Sequence, residues 1–164
     1  MPQIILIAHN IRSTYNVGSI FRTAEGFGVQ KIYLTGYTPY PSLPGDTRPP
    51  HIRDKITKQI GKTALHAEQL VPFEHSEVPE PIIAGYQQQG FTIAALEQAP
   101  DSILLPRYHA PSKLVLLLGE EVHGITDTLL GQCDVALEIP MHGKKESFNV
   151  SVATAIALYA LTMG

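Results

Sequence analysis

Four short runs that are apolar at nearly every position constrain this chain most: Gln3–Ala8 (QIILIA), Lys31–Leu34 (KIYL), Phe91–Leu96 (FTIAAL) and Lys113–Leu118 (KLVLLL). Each has the length and composition of a strand rather than a helix. A strand with one wet face alternates polar and apolar residues, whereas one that is apolar throughout is covered on both faces. Val135–Ile139 is a further strand candidate. Between the runs, Val17, Ile20, Phe21 and Ala24 recur at the i, i+3, i+4, i+7 spacing of an amphipathic helix. Asn16 stands at its N-cap position and Gly28 is placed to end it. Further helices are predicted over Asp54–His66, with Ile52, Ile56 and Ile60 on the apolar side, and over Pro81–Gln89, where Gly85 weakens the pattern. A short one around Thr126–Gly131 and a last one over Val150–Met163 complete the set. Such alternation predicts an α/β fold: a parallel sheet covered by helices on both faces.

At 164 residues, with no repeat and no linker, residues 1–164 are expected to form one domain without an extension at either end. The first residues carry no basic leader, and no stretch is long enough to span a membrane. The single Cys133 has no partner for a disulfide or a CxxC metal site, which fits a reducing, cytoplasmic compartment. The sequon Asn149-Val150-Ser151 would need a secreted chain, so Asn149 is left as a helix cap or a binding residue. None of the seven histidines falls into a ligand spacing such as HExxH, so no metal is expected. No GxSxG elbow or Walker loop is present either.

The charge sum of 12 Lys and Arg against 15 Asp and Glu argues mildly against a nucleic-acid partner. Distribution argues the other way, because Arg48, Arg53, Lys55, Lys58 and Lys62 crowd one short stretch. They would either track an RNA backbone or form an ordinary solvated face. Just upstream, Thr35–Pro50 (TGYTPYPSLPGDTRPP) is longer than most connections and is therefore either disordered or functional.

Three segments place polar residues after strands, where open parallel sheets bind ligands. These are His9–Val29 (HNIRSTYNVGSIFRTAEGFGV), Leu116–Ile125 (LLLGEEVHGI) and Ile139–Ile156 (IPMHGKKESFNVSVATAI). The glycines of the second, Gly119 and Gly124, permit close backbone approach to a ligand or a positive φ. The helix that closes the third is apolar nearly all round, so it belongs in a core or against a second subunit.

In this order the segments resemble the SpoU/TrmH branch of the SPOUT methyltransferase superfamily. Asn16, Gly18, Arg22, Thr23, Ala24, Phe27 and Gly28 match its NxGxxxRTAxxFG. Leu118, Gly119, Glu121 and Gly124 match LGxExxG; Ile139, Pro140, Met141, Gly143, Ser147, Asn149, Val150, Ser151, Ala153, Ala155 and Ile156 match IPMxGxxxSxNVSxAxAI. Lys62–Glu68 (KTALHAE) is similar to a further family segment, which more often has Gly where His66 stands.

The resemblance implies a C-terminal deep trefoil knot, a homodimer, and S-adenosylmethionine bound in the knot. It implies methyl transfer to a ribose 2′-hydroxyl of RNA, with tRNA preferred to rRNA for a chain lacking an added RNA-binding domain. By position it implies Arg22 as the catalytic arginine, with Asn16, Glu121, Ser147 and Asn149 as further polar site residues. The cofactor would lie near Ala95, Leu96, Gly119, Ile139, Met141, Ser147 and Phe148. The rival expectation is a knotted dimer that binds RNA or cofactor without catalysis, and methylation of a base is a third option.

Overall fold

Strand β1 (Gln3–His9) lies in the interior of the sheet, pairing in parallel with β2 (Lys31–Thr35) on one side and with the middle strand β6 (Lys113–Leu118) on the other. The computed structural model describes all 164 residues. Its seven strands run β3-β2-β1-β6-β4-β7-β5, all parallel, with β3 Phe73–Ser76, β4 Thr92–Leu96, β5 Ile103–Leu104 and β7 Val135–Glu138. The chain builds outward from β1 to β3, then returns to lay β4 on the far side of β1. Such a reversal opens a crevice beyond the carboxyl ends of the strands.

The expected two-sided covering is present. Ile4, Leu6, Ala8, Leu114, Leu116 and Leu118 face α1 (Thr14–Gly26), α2 (Pro50–Ala64) and α5 (Val150–Met163), meeting Phe21, Ile60 and Leu158. Ile5, Ile7, Val115 and Leu117 face the other way, toward Ile83 of α3 (Glu80–Gln88) and Leu129 of α4 (Asp127–Leu130). Successive side chains of a strand alternate faces, so one apolar run feeds two cores. Phe21 also meets Phe73 edge to face at 5.5 Å, a geometry that adds roughly 0.5–1.5 kcal/mol beyond burial. Helix α1 packs against both α2 and α5. A side chain at Gly18 would strike the Ile60 carbonyl and Thr63 on α2, so this motif glycine serves helix contact.

Several expectations need correction. Ser13, not Asn16, caps α1, its hydroxyl accepting from the Asn16 N–H at 3.2 Å. Helix α2 starts four residues early, at Pro50, because proline's fixed φ suits the first helical position. Ile52 consequently lies in its first turn and is 42% exposed, while Ile60 and Ala64 carry the buried face. Strands β3 and β5 escaped the sequence reading: β3 is a mixed polar edge (FEHS) and β5 only two residues long.

The proline-rich connection is ordered, and Arg48 is what orders it. Its guanidinium donates to the Tyr40 carbonyl at 2.8 Å, to the Pro41 carbonyl at 3.2 Å, and to both oxygens of Asp46 at 3.0 and 2.6 Å. It also stacks 3.6 Å over the Tyr40 ring, which in turn stacks on His75 of β3 at 4.0 Å. Arg48 therefore faces inward, with a side chain only 16% exposed, and is withdrawn from the expected RNA-facing cations. Its hydrogen bonds hold the Asp46 carboxyl well below the usual carboxylate range.

Candidate active site

A cleft of about 600 Å³ opens beyond the carboxyl ends of β4, β6 and β7. Leu96, Gly119, Ile139, Met141, Ser147 and Phe148, six of the positions that the resemblance assigns to a cofactor, line it. Ala95 does not: it belongs to the core that packs under α3 and α4. One residue along a strand is the opposite face, and that parity removes Ala95 from the cleft.

Three distant segments meet at the rim. Asn149 caps α5, its Oδ1 accepting from the Ser151 N–H at 2.9 Å and from the Ser151 hydroxyl at 2.6 Å. That leaves its amide nitrogen to donate to Asn16 Oδ1 at 3.2 Å. Asn16 then has only its own amide nitrogen to offer Glu121 Oε1, at 3.4 Å. A carboxylate accepts and never donates when ionised, so each amide in this line has one consistent orientation. Glu121 takes the Arg12 backbone N–H as well, at 3.2 Å to each oxygen. Because Ser13 does the capping of α1, the Asn16 side chain is released for this contact.

The loop after β6 is shaped by a residue that the sequence reading missed. Glu97, just past β4, accepts from the Ile125 N–H through one oxygen and from the Gln98 N–H through the other, both at 2.9 Å. Gly124 faces that carboxylate at φ +67°, where any side chain would overlap it. Its positive φ thus serves the turn. The available signal was a carboxylate directly after an apolar strand, as at Glu120 and Glu121. Glu120 accepts from His123 Nδ1 at 2.8 Å and has Arg12 Nη2 at 3.7 Å. The His123 hydrogen bond, more than any other contact, lowers the Glu120 pKa from its ordinary value.

Charged side chains of the lining are Glu97, Glu120, Glu121, Asp127, Glu138 and Glu146, with no Lys or Arg among them. Such walls favour a cation, and the apolar Leu96, Leu118, Leu137, Ile139 and Phe148 favour a partly apolar one.

Arg22 is not brought into this cluster. It lies six residues beyond Asn16 on α1, which is about 9 Å along the axis and about a third of a turn around it. Its side chain is exposed and makes no hydrogen bond or ion pair within the chain. Lys55, Lys58 and Lys62 stand exposed along α2, whereas Arg53 bonds Asp54 at 2.9 Å.

The sequence model of the SpoU rRNA Methylase family matches residues 47–159. The chain is 36% identical, over 98% of its length and 66% of the relative's, to the tRNA (guanosine(18)-2'-O)-methyltransferase of Borreliella burgdorferi. It is 32% identical to the enzyme of that name from Mus musculus, over 99% of this chain. The chain spans only 9% of that mouse protein and 10% of its Saccharomyces cerevisiae counterpart. The crystal structure of an AdoMet-bound rRNA methyltransferase from Sinorhizobium meliloti superposes at TM-score 0.78 and 22% identity, over 96% of this chain and 55% of that one. That likeness establishes the fold. The family match takes in the cleft loops and most of α5 but not α1 with Asn16 and Arg22; it spans well over half of the chain, and on it the chain belongs to the SpoU rRNA methylase family.

Proposed function

We propose that this chain is an RNA 2′-O-methyltransferase, moving a methyl group from S-adenosylmethionine to a ribose 2′-hydroxyl, with tRNA preferred to rRNA. The observation that carries this reading is the line Asn149–Asn16–Glu121 at the cleft rim. Its members come one each from the three motif segments, so the motifs converge on one place. The names of the two relatives, each a tRNA guanosine 2'-O-methyltransferase, support the reaction and the substrate.

The residues present fit the cofactor. A sulfonium and an ammonium suit walls bearing six carboxylates and no Lys or Arg, and an adenine suits the apolar lining. Leu96, Gly119, Ile139, Met141, Ser147 and Phe148 would hold it. When bound, S-adenosylmethionine supplies an electrophilic methyl carbon.

The chain's own task is to bring a ribose hydroxyl into line and stabilise charge on its oxygen. A guanidinium offers five N–H donors and no acceptor, so donation is the role open to Arg22. Its assignment comes from the resemblance and not from the cluster: holding the phosphate next to the target ribose and stabilising negative charge developing on the attacking oxygen. Asn16, Asn149 and Ser147 position the ribose edge, and Glu121 holds Asn16 in place. Lys55, Lys58 and Lys62 offer phosphate contacts along α2.

Arg22 lacks a partner in its own chain, and exposed Tyr15, Val152, Tyr159 and Met163 leave apolar surface on α1 and α5. Both support a homodimer. Sedimentation at micromolar concentration tests it, and a monomer there removes it. We also assign the chain a C-terminal trefoil knot, with 1–164 acting as one SPOUT-type unit in the cytoplasm. In support, residues 139–150 share the cleft with residues 118–125 before α5 packs on α1. A crystallographic trace that pulls straight would sink the knot.

The deciding assay incubates the protein with methyl-labelled S-adenosylmethionine and total RNA from a strain lacking it. Label at a ribose 2′-oxygen is expected. Tight cofactor binding without label would favour the non-catalytic alternative.

A further inference from the structure

Helix α2 does not end on glycine. It passes into Leu65 at φ +50° and His66 at φ +76°, two consecutive residues in the left-handed region that glycine favours. Side chains there strain the backbone, and these two are not held by the rest of the chain. Leu65 is 55% exposed and belongs to neither core. His66 is exposed, and only its backbone carbonyl is engaged, by the Gln69 N–H at 3.0 Å. The chain's third such residue, Asn10, differs, because its Oδ1 accepts the Tyr37 N–H at 3.0 Å. Backbone strain of this kind persists at sites that clamp ligands.

The surroundings say which ligand. Lys55, Lys58 and Lys62 follow one face of α2 at i, i+3 and i+7, exposed and without a carboxylate partner, and lead up to Leu65. In a chain of net charge −3, such a row suits a polyanion. The Thr63 hydroxyl donates to the Tyr15 carbonyl at 2.8 Å, and the single turn Ala67–Gln69 packs on α1. Leu65 and His66 thus stand between two contacts with α1, near Asn16 of the cleft-rim line.

We propose that Leu65 and His66 form a stacking site for an unpaired base of the RNA, close to the nucleotide whose ribose is methylated. The inference rests on the methyltransferase reading and names what the RNA offers at this place: a single-stranded step. Single strands are held by cations along the backbone together with rings on which bases stack, and histidine is among those rings. The lysine row and the Leu65–His66 step are these two parts, one after the other. A duplex keeps its bases stacked inside and gains nothing from the second part. Glycine at position 66 would suit the turn and leave no ring to offer.

His66→Gly tests this, because it relieves the backbone while removing the ring. Fluorescence anisotropy compares two labelled probes, a single-stranded oligouridylate and a blunt RNA duplex. The variant should bind the single strand more weakly by about 5-fold or more, the range for loss of one stacked base. Duplex binding and the salt slope should hold, since no phosphate contact is lost. The melting temperature should equal or exceed that of wild type. His66→Asn, which accepts a positive φ, should lose the same affinity and so separates the missing ring from glycine's flexibility. In methyl transfer to total RNA, the KM for RNA should rise by a similar factor while kcat and the KM for S-adenosylmethionine hold.

Equal affinity of wild-type and His66→Gly proteins for the single strand, or no binding of it by wild type, overturns the inference and leaves the methyltransferase reading intact. A loss that falls equally on the duplex also overturns it, as does a clearly lower melting temperature, which would mean that the ring serves the fold. A His66→Gly monomer where wild type is a dimer would make the pair a subunit contact instead. No label in any RNA from wild-type protein would sink the parent reading.

Discussion

Two long connections leave the carboxyl edge of this sheet, and they treat their polar groups in opposite ways. Residues 36–49 turn theirs inward: Arg48 satisfies Asp46 and two carbonyls, and the Thr38 hydroxyl bridges the Ala8 carbonyl and the Ile11 N–H at 2.8 and 2.9 Å. Residues 139–149 leave Lys144, Lys145, Glu146, Ser147, Phe148 and Asn149 exposed, held chiefly by Gln98 donating to the Glu146 carbonyl at 2.7 Å. The first connection spends its polar groups on its own shape, whereas most of those in the second stay open to a ligand. Arg48 and Arg22 make the same contrast in single residues.

That contrast can be broken by substitution. Arg22→Ala should abolish methyl transfer, a loss of about 1,000-fold or more, while S-adenosylmethionine affinity by calorimetry and the melting temperature stay unchanged. Comparable turnover in the two proteins would remove Arg22 from its role. Asn149→Asp keeps a capping oxygen but replaces the donor that faces Asn16. Its activity should fall by about 100-fold, in the range for loss of an oriented site donor, with the melting point nearly constant. A simple cap would keep its activity as well.

Arg48→Ala should do the reverse: a melting temperature lower by several degrees, with activity following the folded fraction. Here the pH sign is fixed. Asp46 has a depressed carboxyl pKa in the fold, so its pairing stabilises above the unfolded value of 3.8 and is lost as pH falls toward the folded one. The gap in melting temperature between wild type and Arg48→Ala should therefore be constant above about pH 5 and narrow only in stronger acid. A gap that closes near neutrality would contradict the anchor. The smallest effect belongs to α2. Lys55, Lys58 and Lys62 changed together to Gln should weaken RNA binding and flatten its salt slope by about 0.7–0.9 for each phosphate that these lysines neutralise. An unchanged slope would mark them as a solvated face.

Much of the scaffold was legible because fully apolar strands state their own burial. Gln3–Ala8 and Lys113–Leu118 needed no partner to be recognised, and the motif order located the cleft. What stayed hidden depended on partners far away in sequence. That Ser13 rather than Asn16 caps α1 turns on competition between two good caps three residues apart. The role of Glu97 emerges only once the 119–125 loop is folded against it. Arg48 read as one cation among five because Asp46, Tyr40 and His75 surround it only in three dimensions.

The interior place of β1 has a consequence for synthesis. Its second neighbour, β6, is encoded some hundred residues later, with Gln3 pairing Lys113 and Ala8 pairing Leu118. While the ribosome makes the intervening chain, β1 presents an open apolar edge, the kind of site on which chains aggregate. The amino-terminal half should wait, collapsed but unsealed, for β6 to arrive between β1 and β4. Pulsed hydrogen exchange on refolding should then show the β1 and β6 amides gaining protection together, later than those of α1 and α2. Early protection of the β6-facing β1 amides would mean that something else guards that edge.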